Sequence, residues 1–577
     1  MTTARIITGA VLAAMVALAT MALAADRAED GGADGRIVIT AGQIEAMQAH
    51  KMADILNHVP GVVAGDTFVS IHGSYKVKAF VDGRPINDPT SSHGGIKWDL
   101  VSPEEVERIE ILRGKGSLVY GQDASGGVIL VTTKKGRRLR GNLKAYGGNL
   151  DTFRTNLNLQ ASAGIWGLGA SGGFETTQGF RTNNDKQRWH AGLKASCRLG
   201  RGRTLSASAD YLEDRRGLAG LPAHPTPYSR KHTRMASYSF QATGRTLSSK
   251  AFCNDGRNHN TDSSRNLDKV LHVVELGEDL TAGLNLSGPG QLACGAGLRW
   301  ARASGTSFDD KQEHTVSVFA ARNLEWPPAR LDFNFGLRAN FNSDFDDALN
   351  PELKVTFKGR GWRLAAAYSR SNNTPSFYQR YNETSSTVPN PDLDMETADN
   401  YSLTLSGRPA ENFSGRIGLF HNRLSDRITY ITDDNGIGQY QNFGLVTYTG
   451  GDLSCDWKVL PGLSLKPSYT YLEAIDRQTG LRLPGKARHT ARVHCYWQPA
   501  DSLSVVLTVK YVSRIYRNKS NTRTVPDYTV ADLRAEYAFK KVSLFAQVKN
   551  LFDRDYFYAD GLPAPPLTWL VGINCKI

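Results

Sequence analysis

The sequence predicts a transmembrane antiparallel β-barrel of about 22 strands, plugged by an N-terminal mixed α/β domain. Three observations carry this prediction. The N-terminus has the form of an export signal. Residues 37–138 mix helix and strand patterns. From Gly141 to Ile577 one unit then repeats, a strand of alternating apolar and polar residues followed by a turn.

The first 24 residues are typical of a secretory signal peptide. Arg5 precedes an apolar run over residues 6–24, which ends in an Ala-x-Ala cleavage pattern at Ala22 and Ala24. The alternative is an N-terminal membrane anchor, but no signal that would stop transfer follows the run. Residues 25–36 are polar and acidic, and we expect them to form a flexible segment. The mature protein is therefore expected to be exported.

The next region, 37–138, carries signals for short elements in a defined order. Thr40 and Gln43 form a capping box that predicts a helix containing Ile44. A second helix should end before Pro60, because a Pro-Gly pair stops helices. Pro103 suits the first position of a further helical turn. The expected strands and turn lie at 77–81, 82–85 and 128–132.

The barrel, 139–577, is predicted from period-two alternation. Between Leu331 and Phe341, apolar residues alternate with Asp, Asn, Gly and Arg, and residues 503–511 and 531–539 behave alike. A soluble β-sandwich also alternates. Many strands here end in Tyr, Trp or Phe, however, as the interfacial girdles of a membrane barrel require. A barrel this wide has an aqueous lumen, and the preceding domain is the obvious plug.

Cysteine and charge exclude other classes of protein. Five of the six Cys residues lie in the apolar phase of a strand, so we expect small hydrophobic side chains rather than disulfides. The net charge of +13 is spread along strands and loops with acidic residues interleaved, which does not favour nucleic-acid binding. We expect these charges to face the lumen, the loops and the lipid headgroups of the outer membrane.

Several sequence words resemble those of TonB-dependent outer-membrane receptors. The plug words are LNHVPGV at 56–62, FVDGRP at 80–85, VERIEILRG at 106–114 and YGQDASGGVILVTT at 120–133. NPDL at 390–393 and VKNLFD at 548–553 are similar to barrel words of the family. Lys115 and Gly116 depart from the usual Pro, and Ile577 stands where an aromatic residue is commonest. The resemblance implies a monomeric receptor in a Gram-negative outer membrane, energised by TonB and its inner-membrane complex.

The same resemblance implies roles for two groups of plug residues. In the family, the RIE and LRG motifs correspond to charged residues that connect the plug to the barrel. The alternative is that these charges lie on a solvated helix face. The second group is a short apolar run near the mature N-terminus, which either couples to TonB by strand addition or forms the first plug strand. The charge cluster is Glu107, Arg108, Glu110 and Arg113, and the coupling segment is Ile37, Val38, Ile39 and Thr40.

Ligand contacts are expected from plug apices and extracellular loops, because such loops carry binding residues on a rigid scaffold. Aromatic and Arg-rich loops can hold a bulky, partly anionic chelate by stacking and charge. The alternative is that these aromatic residues belong to the rim girdle. The predicted ligand-binding residues are His93, Trp98, Phe377, Tyr378, Arg380 and Tyr381.

The expected function is active uptake of a scarce chelate, with a ferric siderophore as the first candidate and cobalamin as the second. The resemblance disfavours haem, because haem receptors of the family resemble one another in a His on the loop before the NPDL-like motif, and here no His lies between Thr374 and Pro391. The alternative of another class is a passive porin or an adhesin-type barrel. Enzymatic activity is not expected, since the sequence shows neither a supportable Ser–His–Asp set nor an HExxH motif. No resident cofactor is expected, and metal ligands stay undefined.

Overall fold

The computed structural model describes residues 36–91, 94–134, 139–285, 291–384, 387–432, 437–558 and 562–577. Two parts follow each other along the chain, a plug and a closed barrel. The predicted signal peptide, 1–24, and residues 25–35 of the predicted flexible segment lie outside the described residues.

The plug contains the short elements that the sequence predicted. Thr40 caps the first helix, and the Gln43 side chain accepts from the Thr40 backbone N–H in return, so the capping box is confirmed. A second capping box joins Ser102 and Glu105 around a 3-10 turn at Pro103–Glu105. The plug elements are β1 Ile37–Thr40, α1 Ala41–Met47, α2 Met52–Leu56, β2 Val62–Ala64, β3 Val69–Ile71, β4 Val77–Val81, β5 Arg84–Pro85, a 3-10 turn Trp98–Leu100, β6 Val106–Arg113, α3 Ser117–Tyr120 and β7 Gly127–Thr133.

Five plug strands form one mixed sheet in the order β1-β6-β7-β4-β5. Strand β4 pairs with β7 in parallel, whereas β1, β5 and β6 pair antiparallel with their neighbours. A buried apolar cluster lies against this sheet and includes Ile55, Leu56, Ile109 and Ile111. The plug therefore has its own small core, which lets it keep its shape within a polar lumen.

The barrel is a closed antiparallel sheet of 22 strands, as the sequence predicted. Its elements, with loop strands in chain order, are β8 Arg140–Gly148, β9 Thr152–Ala163, β10 Trp166–Thr177, β11 Lys186–Gly200, β12 Arg203–Gly217, β13 Gly220–Leu221, β14 His224–Pro225, β15 Ser229–Thr243, β16 Leu247–Asp262, β17 Leu267–Asn285, β18 Gln291–Gly305, β19 Phe308–Trp326, β20 Leu331–Asn342, β21 Ala348–Lys358, β22 Trp362–Asn373, α4 Phe377–Tyr381, β23 Thr387–Val388, β24 Glu396–Ala410, β25 Phe413–Ser425, β26 Ile428–Thr432, β27 Gly438–Asn442, β28 Val446–Leu460, β29 Leu463–Asp476, β30 His489–Ala500, β31 Leu503–Val512, β32 Ile515–Tyr516, β33 Thr524–Val525, β34 Tyr528–Phe539, β35 Val542–Lys549 and β36 Thr568–Lys576; 3-10 turns lie at Ser263–Arg265 and Pro327–Ala329.

The two ends of the barrel differ in the length of their connections. One end has tight turns, such as 201–202, 411–412 and 540–541. The other end has long connections, of which 374–395, 426–445 and 513–527 contain strands or a helix of their own. No helix among the described residues is long and apolar enough to cross a membrane.

The barrel wall separates an apolar outside from a polar inside. On β11, Trp189 and Leu193 are exposed on the outer face, whereas Arg188, next to Trp189, is buried towards the plug. This alternation is the one expected of strands that contact lipid on one side and water or plug on the other. All six Cys residues are free thiols, which the apolar phase predicted for five of them.

Candidate functional site

Two aromatic side chains of the plug point towards the long-loop end of the barrel. Phe68 and Tyr75 are both about two-fifths exposed, and their ring centroids lie 6.1 Å apart in an edge-on arrangement. Phe68 lies in the turn between β2 and β3, and Tyr75 precedes β4. Because Lys486 of a long barrel loop contacts the Tyr75 ring, these rings face the long-loop end, and we call the space that they floor the vestibule.

A lysine from the barrel loop 477–488 covers this floor. The Lys486 Nζ lies 3.7 Å from the centroid of the Tyr75 ring. That ammonium is buried and finds no hydrogen-bond partner among the described residues. Burial lowers the pKa of Lys486 to about 7, and the nearby Arg427 guanidinium lowers it in the same direction. An anionic ligand beside Lys486 would favour the protonated ammonium and supply the hydrogen-bond partner that it lacks, so the site favours an anionic ligand.

The barrel loop 374–395 carries four of the predicted ligand residues on helix α4, whose N-terminus is capped by Ser376. Arg380 is 1% exposed and lies against the rings of Phe345, Phe377 and Tyr381. It also pairs with Glu313 of β19. Arg380 and the buried Phe377 thus hold the loop against the barrel wall, and Tyr378 is the exposed member of the four.

Two predicted ligand residues belong to the plug apex 87–98. Trp98 is 3% exposed and packs in the hydrophobic core of the plug, so its indole supports the apex rather than facing the vestibule. His93 lies outside the described residues. Sequence reasoning missed Phe68, Tyr75 and Lys486. For Phe68 and Tyr75, the signal available in the sequence was an aromatic residue in a short turn between plug strands.

One buried contact joins plug and barrel through three charged or ionisable groups. Arg113 pairs with Asp452 of β28, and His72 donates from Nε2 to Asp452 Oδ2 at 2.7 Å. The Thr470 hydroxyl donates to Asp452 Oδ1 at 2.9 Å. The His72 ring also stacks on Phe420 at 3.7 Å. Burial lowers the pKa of the His72 imidazole, although the Asp452 carboxylate acts in the opposite direction.

The other predicted members of the charge cluster lie elsewhere. Arg108 and Glu110 form an ion pair at 3.0 Å, and Glu110 also pairs with Arg36. Glu107 is exposed. Successive residues of a strand point to opposite faces, so Arg113 does not share a face with Arg108 and Glu110. Among the contacts of the described residues, Arg113 is the one of the four that reaches the barrel.

Further plug–barrel ion pairs were not predicted individually. Glu104 pairs with Lys144 of β8 at 2.8 Å, and Arg84 pairs with Asp210 of β12 at 2.7 Å. Their signal in the sequence is a charge in the lumen-facing phase of a strand. That signal identifies the face of the residue but not its partner. Within the described ranges, no group of three or more His, Cys, Asp or Glu side chains is arranged to hold a metal ion.

The predicted coupling segment forms the first plug strand. Ile37 to Thr40 pair antiparallel with β6, with Ile37 opposite Ile111 and Thr40 opposite Arg108. Since β1 is the edge strand of its sheet, its other edge is not paired within that sheet. The sequence left two roles open for this segment, and in the structure it is the first strand of the plug.

Family models match both parts of the chain. The plug model, "TonB-dependent Receptor Plug Domain", matches residues 33–128. The model described as "TonB dependent receptor-like, beta-barrel" matches residues 118–551. The second match alone covers well over half of the chain.

Individual relatives agree over most of their length. The vitamin B12 transporter BtuB of Photobacterium profundum is 24% identical over 90% of this chain and 88% of its own. The iron-regulated outer membrane virulence protein of Vibrio cholerae is 22% identical over 91% and 89%. Among solved structures, the ferric enterobactin receptor PfeA of Pseudomonas aeruginosa has a TM-score of 0.80, with 18% identity over 94% of this chain and 99% of that one. The copper transporter OprC has a TM-score of 0.81, with 14% identity over 96% and 100%.

The two solved structures share the fold of this chain over nearly its whole length. Two of these four proteins are named as transporters and one as a receptor. The chain belongs to the TonB-dependent receptors of the Gram-negative outer membrane.

Proposed function

We propose that this receptor imports an anionic iron chelate, a ferric siderophore, with energy supplied through TonB. The observation that carries the proposal is the Lys486 ammonium, which lies buried over Tyr75 without a hydrogen-bond partner among the described residues. Arg427 adds a second positive charge nearby. An anionic ligand would neutralise both charges and regain the hydrogen bonds that the ammonium lacks.

The aromatic floor supports the same class of ligand. Phe68 and Tyr75 offer exposed ring faces beside the cationic side chains. A chelate with aromatic, negatively charged arms would stack on the rings and pair with the cations at once. The ferric enterobactin receptor among the similar structures is named for a ligand of this kind, but at 18% identity it shows a shared fold alone.

Cobalamin is the second candidate, because a named vitamin B12 transporter is similar over 90% of this chain. Its recognition would depend more on shape and apolar contact than on charge. Neutralising Lys486 should therefore weaken binding of a ferric siderophore and leave cobalamin binding nearly unchanged. This difference separates the two candidates.

Energy coupling would use the N-terminal end of the plug. We infer that ligand binding releases the chain up to Thr40, and that TonB captures the released segment by strand addition. Strand β1 suits this role because it lies at the edge of its sheet. Deleting residues 25–40 should abolish uptake and preserve ligand binding. Uptake that survives the deletion would contradict this assignment.

The deciding experiment is a titration of the purified receptor with a panel of ferric siderophores and with cyanocobalamin, followed by tryptophan fluorescence. Lys486→Met should weaken the ferric response at least about tenfold, since truncating one partner of a buried charge pair costs more than about 1.4 kcal/mol. Lys519→Met, which changes an exposed lysine of the loop 513–527, is the matched control. Tight cobalamin binding without any ferric response would overturn the siderophore proposal.

A further inference from the structure

A groove on the outer face of the barrel lies away from the plug and its vestibule. It has a volume of about 660 Å³ and is formed by the long-loop ends of β12, β15, β16, β17 and β18. Its lining includes Tyr211, Arg234, Asp255, Arg257, His272 and Thr306. None of these residues takes part in the plug contacts or the vestibule described above.

The strand register places the charged lining residues in one row. Glu213 of β12 lies opposite Arg234 of β15, which lies opposite Arg257 of β16. Arg257 in turn lies opposite His272 of β17. Directly opposite residues on one face of a sheet are close enough for their side chains to interact, and like charges there repel. The row therefore brings two guanidinium groups together on the outer surface.

Neighbouring carboxylates do not neutralise this pair of arginines. Arg234 is 3.8 Å from Glu213, which already binds Arg215 at 2.8 Å. Glu213 also accepts from His232 at 2.8 Å. Arg257 forms no ion pair with any other described residue. Arg234 thus has one distant and already occupied carboxylate, and Arg257 has none among the described residues.

The remaining acid of the groove is also occupied. Asp255 of β16 pairs with His272 at 2.7 Å. With the acids engaged, the groove presents an excess of guanidinium donors. Guanidinium groups bind phosphate oxygens in a bidentate geometry, and two of them can grip one phosphate from both sides.

The position of the groove indicates which leaflet it faces. One row nearer the tight-turn end lies Tyr211, and Tyr238 lies one row further; both are exposed on the outer face. Leu212 and Met235, which lie between the Tyr211 row and the row of Glu213 and Arg234, are buried on the plug side. Outward tyrosines mark the boundary between acyl chains and headgroups. Tyr211 lines the lower part of the groove, and Arg234 and Arg257 lie on the long-loop side of it, so the two arginines are level with the headgroups of the outer leaflet.

We propose that this groove binds the phosphorylated headgroup of an outer-leaflet glycolipid of the lipid A type. Arg234 and Arg257 hold one phosphate between them. The acyl chains then run down the outer wall past Ala236 and Val274, which lie in the row below. The ligand is a lipid and not the transported cargo, so the proposal stands independently of the siderophore assignment.

The test compares lipid binding by the full-length receptor in detergent with that of two double variants. Arg234→Gln with Arg257→Gln removes the proposed clamp. Arg198→Gln with Arg245→Gln removes two exposed arginines near the tight turns of the same region and is the matched control. Native mass spectrometry counts bound lipid A during a titration, and heat-modifiable gel mobility verifies that each barrel is closed.

The wild-type and control receptors should bind lipid A saturably, and the clamp variant should bind it at least about tenfold more weakly, as expected for loss of charge-assisted hydrogen bonds. Dephosphorylated lipid A should bind the wild type no better than lipid A binds the clamp variant. Equal lipid A binding by the clamp and control variants would overturn the proposal.

Two further arms keep the test decisive. Inorganic phosphate at millimolar concentration should not displace lipid A; full displacement would identify a free-anion site and overturn the lipid assignment. If the glutamine clamp variant fails to close, Arg234→Lys with Arg257→Lys replaces it. This variant keeps both charges and loses the bidentate geometry, so it should bind with intermediate affinity. Affinity equal to that of the wild type would overturn the two-guanidinium clamp.

Discussion

At the scale of single residues, Asp452 is the barrel group on which the plug contact converges. Arg113→Ala would leave this buried carboxylate with His72 and Thr470 as its partners. Removing one partner of a buried ion pair costs about 3 kcal/mol or more. We expect faster hydrogen exchange of plug amides in this variant. Arg108→Ala, which breaks a more exposed pair within the plug, should cost less than about 1 kcal/mol.

The double variant Arg113→Ala with Asp452→Asn tests whether the uncompensated Asp452 charge, rather than the loss of the Arg113 side chain itself, destabilises the plug. If the uncompensated carboxylate is the cause of the loss, the second substitution should restore part of the protection of the plug. Equal exchange in the Arg113 and Arg108 single variants would contradict the assignment of Asp452 as the plug contact.

Glu105 gives the plug a pH dependence of defined sign. Burial raises the pKa of Glu105 to about 7, while hydrogen bonds from Ser102 act against the rise. An acid with a raised pKa in the folded state contributes stability that is fully present below its unfolded value of about 4.3. That stability is lost as the pH rises through about 7. Protection of β6 and β7 amides from exchange should therefore decrease between pH 5 and 8.

Glu105→Gln should flatten this dependence, because the amide oxygen still accepts from Ser102 and carries no charge. Glu107→Gln, an exposed neighbour in the same segment, should keep the wild-type profile. If Glu105→Gln and the wild type respond alike to pH, then Glu105 is not the titrating group.

Sequence reasoning found some residues of the site and not their partners. Arg113 was predicted from a motif, but Asp452 lies 339 positions away and stands in an ordinary alternating strand. Lys486 carries no local signal either, since its burial depends on a plug residue, Tyr75. Pairing between distant segments depends on barrel register, which local patterns do not specify.

At the scale of elements, helix α4 depends on one buried cation. Arg380→Ala removes both the ion pair to Glu313 and the contacts with three rings. The loop 374–395 should then become sensitive to limited proteolysis while the barrel stays closed. Tyr378→Ala, on the exposed side of the same helix, is the control and should remain resistant. Resistance of both variants would contradict the anchoring role.

Elements with local signals were predicted well. The capping box at Thr40, the helical turn that starts at Pro103 and the strands at 77–81 and 331–341 are confirmed, because each depends on residues close together in the sequence. The charge cluster over 107–113 was not predicted correctly as one group. Its strand pairs within the plug sheet, so its charges divide between two faces. The role of residues 37–40 in coupling remains a prediction.

At the scale of the whole molecule, the plug blocks the lumen, and the barrel forms the wall around it. Each of the 22 strands is hydrogen-bonded to two neighbours, so the wall does not require the plug for its backbone pairing. A receptor without residues 36–134 should close and leave a wide aqueous channel. Cells that make it should become sensitive to large antibiotics, and the protein should conduct ions in planar bilayers. A closed barrel without conductance would contradict this division of roles.

The seam between β36 and β8 has a consequence for the order of assembly. Asn142 and Asn574 meet there although they are 432 positions apart in the chain. Closing so long a segment is entropically costly and slow compared with forming the neighbouring hairpins. The plug precedes the first barrel strand and makes buried polar contacts around the lumen. The seam is therefore expected to form after the hairpins, and a plug that is in place by then is enclosed when β36 pairs with β8.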